Sequence, residues 1–141
     1  MFSPAWSPDG KTIAFFVTLD SIGRRGFSRA EGEYKIFFMD PNEQKPYPVI
    51  GGINPSSLLV WSPDSKWLAF IGEYGIFKTQ GLWLYSVDED KIFFVDGGDF
   101  DEIAWSPNGK TIAATLCDPN NTEVLCEEYE IWEYDVISIY K

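Results

Sequence analysis

The 141-residue chain contains no histidine. That absence removes a Ser-His-Asp relay, a His-ligated zinc site and a histidine pH switch from anything the chain can do alone. Basic residues are scarce: 11 Lys and Arg stand against 22 Asp and Glu, a formal net charge of −11. A nucleic-acid polyanion would be repelled by such a surface, so neither DNA nor RNA is an expected partner. No apolar run approaches the roughly 20 residues that cross a bilayer. The opening MFSPAWSPDG has neither the basic start nor the apolar stretch of a signal peptide. No membrane insertion is expected. A Gly-x-Ser-x-Gly elbow, a phosphate-cradling glycine loop and a Cys-x-x-Cys pair are also missing.

What the chain has is aromatic and apolar. Phe, Trp and Tyr make up 17% of it and apolar residues 45%, which favours pleated strands over helices in one all-β domain. The sequence also repeats. AWSPDGKTIAFF starts at Ala5, VWSPDSKWLAFI at Val60 and AWSPNGKTIAAT at Ala104. A second match follows each: YKIFFMD from Tyr34, GLWLYSVD from Gly81 and YEIWEYD from Tyr129. The Trp-Ser-Pro triplets begin at Trp6, Trp61 and Trp105, 55 and then 44 residues apart, a period in the range of propeller blades.

Each unit reads as four antiparallel strands, A to D, in a meander. The first has Ala5 and Trp6, Thr12 to Val17, Tyr34 to Met39 and Tyr47 to Ile50. The second has Leu58 to Trp61, Trp67 to Ile71, Leu82 to Val87 and Ile92 to Val95. The third has Glu102 to Trp105, Thr111 to Leu116, Tyr129 to Tyr134 and Ile137 to Tyr140. The expected architecture is one partial propeller over residues 1–141, with blades at about 1–52, 53–97 and 98–141.

The Ser-Pro-Asp-Gly step between A and B is a hairpin signal: Pro fixes φ, Asp or Asn bonds its own backbone, and Gly accepts a positive φ. Ser65 stands where Gly10 and Gly109 stand, so the second turn is expected to be strained or of another type. Asp9, Asp64 and Asn108 sit on separate blades at turns that use their side chains, which argues against metal ligation. Trp6, Trp61 and Trp105 recur once per unit and read as packing plugs between blades rather than a ligand platform; Trp67, Trp83 and Trp132, on B or C strands, read the same way.

The Trp-Ser-Pro-Asp-Gly-Lys-x-Ile-Ala-Phe pattern, followed by an Ile-Phe or Leu-Trp strand ending in Asp, resembles the repeat of TolB-like β-propellers and of the related propellers of prolyl-oligopeptidase-type peptidases. The resemblance covers nearly the whole chain. It implies a β-propeller of three four-stranded antiparallel blades, half of a six-bladed ring, and a non-catalytic protein-interaction module. The alternative it implies is a propeller segment that gates substrate access to a peptidase domain outside this chain.

In a meander all B to C connections leave one rim. Read as Thr18 to Glu33, Gly72 to Gly81 and Cys117 to Glu128, they are the long loops, and long loops on a rigid scaffold carry binding surfaces. The first holds all three arginines, Arg24, Arg25 and Arg29, around Phe27, a composition suited to a protein contact. Residues 71–141 carry fifteen acidic and four basic residues, which reads as a solvated acidic rim; no cofactor or metal is implied. Cys117 and Cys126 flank the third loop, where either a loop-closing disulfide or two buried thiols fits. With the family resemblance, a disulfide would favour a periplasmic or extracellular location. A propeller glycosidase or lyase would need paired carboxylates across the channel, and few acidic residues fall on A strands. Finally, an open array of three blades leaves an apolar face at each end, so two copies are expected to join head to tail into a six-bladed ring. That joining would set the arginine loop beside the acidic loop 117–128 of the other copy.

Overall fold

The computed structural model describes residues 4–18, 34–117 and 129–140. Among these residues eleven strands and one short helix follow one another: β1 (Ala5–Trp6), β2 (Ile13–Thr18), β3 (Tyr34–Met39), β4 (Tyr47–Pro55), β5 (Val60–Trp61), β6 (Trp67–Tyr74), β7 (Thr79–Ser86), β8 (Lys91–Gly97), β9 (Phe100–Trp105), β10 (Thr111–Cys117), β11 (Tyr129–Asp135) and α1 (Val136–Tyr140). Every pairing is antiparallel. The all-β expectation holds: β1 to β4 and β5 to β8 are four-stranded meanders, and β9 to β11 form a three-stranded sheet.

Three features depart from the sequence reading. The strand expected at Ile137 to Tyr140 is helix α1 instead. A returning strand needs a turn after β11, and no glycine or Pro-Asn step is present there. Asp135 caps a helix instead: its carboxylate accepts the Ile137 N–H at 3.0 Å and its carbonyl the Ser138 hydroxyl at 2.7 Å. The connection expected to run from Gly72 to Gly81 is a four-residue turn between β6 and β7, closed by the Lys78 N–H on the Gly75 carbonyl at 3.1 Å. Finally, β4 runs past Ile50, and its far end pairs with β6, Ile53 opposite Tyr74 and Pro55 opposite Gly72. This joins the first two meanders through their backbone into one eight-stranded sheet.

The period-2 alternation of each strand sends its two faces to different neighbours. In β2, Ala14 and Phe16 point toward the second unit, with Ile36, Phe38 and Ile53, and meet Trp61, Leu68, Phe70, Trp83 and Tyr85 there. The opposite face of the second unit, with Ala69, Ile71, Leu82 and Leu84, packs on Phe100, Ile112, Ala114 and Val136 of the third. The core therefore consists of two inter-unit layers. Rings lock the first: Phe38 lies 5.5 Å from Trp61 and 5.8 Å from Tyr85. No buried side-chain nitrogen or oxygen among the described residues lacks a hydrogen-bond partner.

Candidate functional site

The rim bearing the Ser-Pro turns is built from one network repeated three times. In each unit the serine hydroxyl donates to the Asp or Asn side chain: Ser7 to Asp9 at 2.6 Å, Ser62 to Asp64 at 2.6 Å and Ser106 to Asn108 at 2.8 Å. The same side-chain oxygens accept the N–H of Lys11, Lys66 and Lys110 at 3.0, 3.1 and 3.0 Å. Each serine oxygen accepts the N–H of the first residue of the next strand region, Thr12, Trp67 and Thr111, at 3.0, 2.9 and 3.0 Å. The Ser7 hydroxyl and the Lys11 N–H hold the Asp9 carboxyl below the usual carboxylate value. These side chains are occupied in holding turns, and no group of three His, Cys, Asp or Glu among the described residues could hold a metal ion.

Of the two expectations for Ser65, a strained turn or another type, the structure shows the strained one. Its φ of 61° matches Gly10 at 72° and Gly109 at 70°, and its N–H bonds the Ser62 carbonyl as theirs bond Ser7 and Ser106. The strain has a compensation: the Ser65 hydroxyl accepts the Asp9 N–H of the neighbouring unit at 3.1 Å.

The tryptophans of the motif join units. The Trp61 indole N–H donates to the Ala5 carbonyl at 3.0 Å and the Trp105 indole to the Val60 carbonyl at 3.2 Å; in both cases the acceptor precedes the motif tryptophan of the preceding unit. Trp61 and Trp83 are 9% and 8% exposed, as packing plugs should be. Trp6 at 57% and Trp132 at 45% are not. Among the described residues no unit covers the Trp6 face, and no fourth strand flanks β11 as β8 flanks β7, where Phe94 lies 4.8 Å from Trp83.

At the opposite rim the β6–β7 turn lifts Ile76 and Phe77 into solvent, 91% and 86% exposed. The β2–β3 and β10–β11 connections depart from the same rim, after Thr18 and Cys117. Arg24, Arg25, Phe27 and Arg29 lie outside the described residues, as does Cys126; Cys117 is disulfide-bonded. Ile76 and Phe77 are not singled out by the sequence, where Gly72 and Gly81 read as the ends of a loop. The available signal was an apolar pair between Gly75 and Lys78 at the centre of two alternating runs.

Two grooves remain. One of about 480 Å³ runs between Ser56 to Leu58 and the outer part of β9, with Asp101 and Glu102 on its wall. Both fall at an irregularity of β9, between the Phe100–Leu116 and Ile103–Ala114 pairs, where the Glu102 N–H donates to the Thr115 hydroxyl at 3.0 Å. The other, about 420 Å³, lies by the Ser-Pro turns among Asp64, Lys66, Asp88, Asn108 and Lys110, where the Lys66–Asp88 pair stands at 3.9 Å.

No protein-family model and no curated protein sequence matches the chain. In structure it is similar to TolB from Acinetobacter baumannii, with a TM-score of 0.64 at 21% identity over 96% of this chain and 29% of that one. The β-propeller domain of the Trilobed protease from Pyrococcus furiosus superposes with a TM-score of 0.68 at 14% identity, covering 97% of this chain and 39% of that one. Pyrococcus horikoshii acylaminoacyl peptidase superposes at 0.66 and 14%, covering 98% and 23%. The chain thus spans well under half the length of these structures, and at such identities the likeness is one of fold. With three Trp-Ser-Pro repeats, antiparallel meanders and inter-unit cores all in place, the chain has the fold of part of a β-propeller, similar to that of TolB.

Proposed function

We propose that the chain is a non-catalytic protein-interaction module that binds through the rim of the B to C connections. The observation that supports this most is the Ile76–Phe77 pair, held out at the tip of a rigid hairpin. Two adjacent apolar side chains lose contact with water only if a partner covers them, and aromatic residues on a fixed support are efficient contacts because little entropy is lost on binding. The connection that carries Arg24, Arg25 and Arg29 leaves the same rim after Thr18, and its arginines would add charge-assisted contacts. The likeness to TolB supports a binding role without catalysis.

A photo-crosslinking phenylalanine analogue placed at position 77 tests this, with one at Asp64 on the opposite rim as the control. Discrete protein adducts are expected from position 77, competed away by unmodified chain and lost from the arm at Asp64. Equal labelling from both positions, or none from 77, would overturn the proposal. The likeness to acylaminoacyl peptidase supports a second reading, a segment gating substrate entry to a hydrolase domain. A hydrolase domain encoded in the same reading frame would decide for it.

A further inference from the structure

The first and second Ser-Pro turns are tied to each other, and the second and third are not. The Asp9 N–H reaches across to the Ser65 hydroxyl of the next turn at 3.1 Å. At the following junction the corresponding donor is the Asp64 N–H, and Gly109 holds the place of Ser65. The two turns have the same form, with φ of 61° at Ser65 and 70° at Gly109, so what is missing is the hydroxymethyl group alone. Among the described residues a Cβ added to Gly109 would meet only the Pro63 ring, at 3.7 Å. The place of the hydroxyl is open, and the Asp64 N–H has no partner among the described residues. Asp64 and Gly109 both line the groove of about 420 Å³ between the second and third units.

The same groove gathers two more departures from the repeat. Trp67 stands where the other units have Thr12 and Thr111, and Asn108 where they have Asp9 and Asp64. The Asn108 Oδ1 accepts the Ser106 hydroxyl and the Lys110 N–H, which turns its NH2 group outward as a donor. The Lys110 ammonium has no ion-pair partner among the described residues. On the β7–β8 turn Asp88 stands 3.9 Å from Lys66 with both side chains more than half exposed, a loose pair that a ligand can open.

Charge on these walls nearly cancels, Lys66 and Lys110 against Asp64, Asp88 and Glu89. An anion would meet three carboxylates, and a cation two ammoniums and two N–H donors, so neither is favoured. Hydroxyls suit such a surface because each one both donates and accepts, and a ring with a C–H face suits the indole and the exposed Ile137 beside them. We infer that this groove binds a neutral carbohydrate. One sugar hydroxyl takes the place of the Ser65 hydroxyl at the Asp64 N–H, its neighbours meet Asn108, Lys110 and Asp88, and the ring lies against Trp67. The first junction is the same contact made within the chain, with serine supplying the hydroxyl. The site lies on the rim opposite Ile76 and Phe77 and does not depend on the partner-binding reading. An open groove leaves part of the sugar in water, so affinity is millimolar rather than micromolar.

Heteronuclear NMR of the whole chain, titrated in turn with glucose, galactose, mannose, maltose and cellobiose, tests this. At least one sugar should give saturable shifts at the Asp64 amide and the Trp67 indole while the Asp9 amide, already capped by Ser65, stays in place. Gly109→Ser supplies the hydroxyl that the first junction uses and should weaken sugar binding at least about tenfold. Lys110→Ala, on the exposed side of the turn, should weaken it without disturbing the Ser-Pro network. The Ile76→Ser/Phe77→Ser variant should bind sugar as the parent does. Four results would each overturn the inference: no saturable shift with any of these sugars; tighter binding of glucuronate or trialanine at the same residues; sugar binding indifferent to Gly109→Ser; or, should that variant not fold, binding indifferent to Lys110→Ala.

Discussion

Ser62 shows how much a single hydroxyl can carry in this fold. It is fully buried, accepts the Trp67 N–H and donates to Asp64. Ser62→Ala leaves that N–H without a partner beneath the turn, so a loss of about 1–3 kcal/mol is expected in urea unfolding. Ser65 sets two effects against each other. Its φ of 61° costs a residue with a Cβ about 1 kcal/mol, while its bond to the Asp9 N–H returns part of that. Ser65→Ala keeps the strain and loses the bond, whereas Ser65→Gly removes both. The Gly variant should be the more stable of the two by about 1 kcal/mol, and the reverse order would mean that the turn relaxes. Burial raises the Tyr85 and Tyr134 phenols, and the Asp90 and Asp96 carboxylates that accept their O–H at 2.6 and 2.8 Å raise them further. Both folded phenols stay protonated when an unfolded tyrosine, with its ordinary value near 10, ionises. Their contribution is complete below pH 10 and declines as pH rises beyond it. Urea midpoints at pH 8 and 11 should fall further for the parent than for Tyr85→Phe/Tyr134→Phe; equal falls would remove these two groups as the cause.

Strand limits depend on what glycine does, and here it does two different jobs. Gly10 and Gly109 make turns, but Gly72 and Gly81 sit opposite each other inside the β6–β7 ladder. A Cβ on Gly81 would run into the Asp96 carbonyl of β8, and one on Gly72 into Asn54 and Pro55 of β4. Gly81→Ala should therefore force β7 and β8 apart and cost roughly 2 kcal/mol or more, measured by thermal unfolding; a cost near zero would mean the strands can separate freely there. This is also why the hairpin was illegible from sequence. Glycine within an apolar run marks either a break or a close approach, and only the neighbouring strand distinguishes them. The A to B turns were legible because their chemistry is local: Ser, Pro, Asp and Gly determine one another within five residues. The A, B and C strands of all three units were readable by period, whereas the last segment was misread. VISIY has β-branched residues at strand spacing, and the Asp135 cap that turns it into α1 acts through two hydrogen bonds rather than through pattern. As for the rim of the B to C connections, Ile76 and Phe77, which protrude from it, were not legible as such, because they lie within the segment between Gly72 and Gly81 that reads as a loop.

Across the whole molecule, stability is graded because burial is graded. The second unit packs on both faces, and nearly all of β6 and β7 is buried from Leu68 to Gly72 and from Gly81 to Ser86. The first and third units each present one face to the core, and β11 is exposed along most of its length, with no strand on its outer side among the described residues. In arrays of repeats each unit depends on its nearest neighbours, so a middle unit is held by two interfaces and an end unit by one. Opening of β11 breaks one ladder and uncovers little apolar surface, while opening of β7 breaks two ladders and opening of β6 three, each with at least one core. Amide exchange followed by mass spectrometry should therefore show β6 and β7 slowest, β2 and β3 next, and β11 fastest among the strands of six residues or more. Trp61→Phe, which removes the donor to Ala5 without removing the ring stack on Phe38, should speed exchange in β1 to β3 more than in β9 to β11. Uniform acceleration along the chain would instead mean that the units unfold as one block, with the inter-unit layers too strongly coupled to be released one at a time.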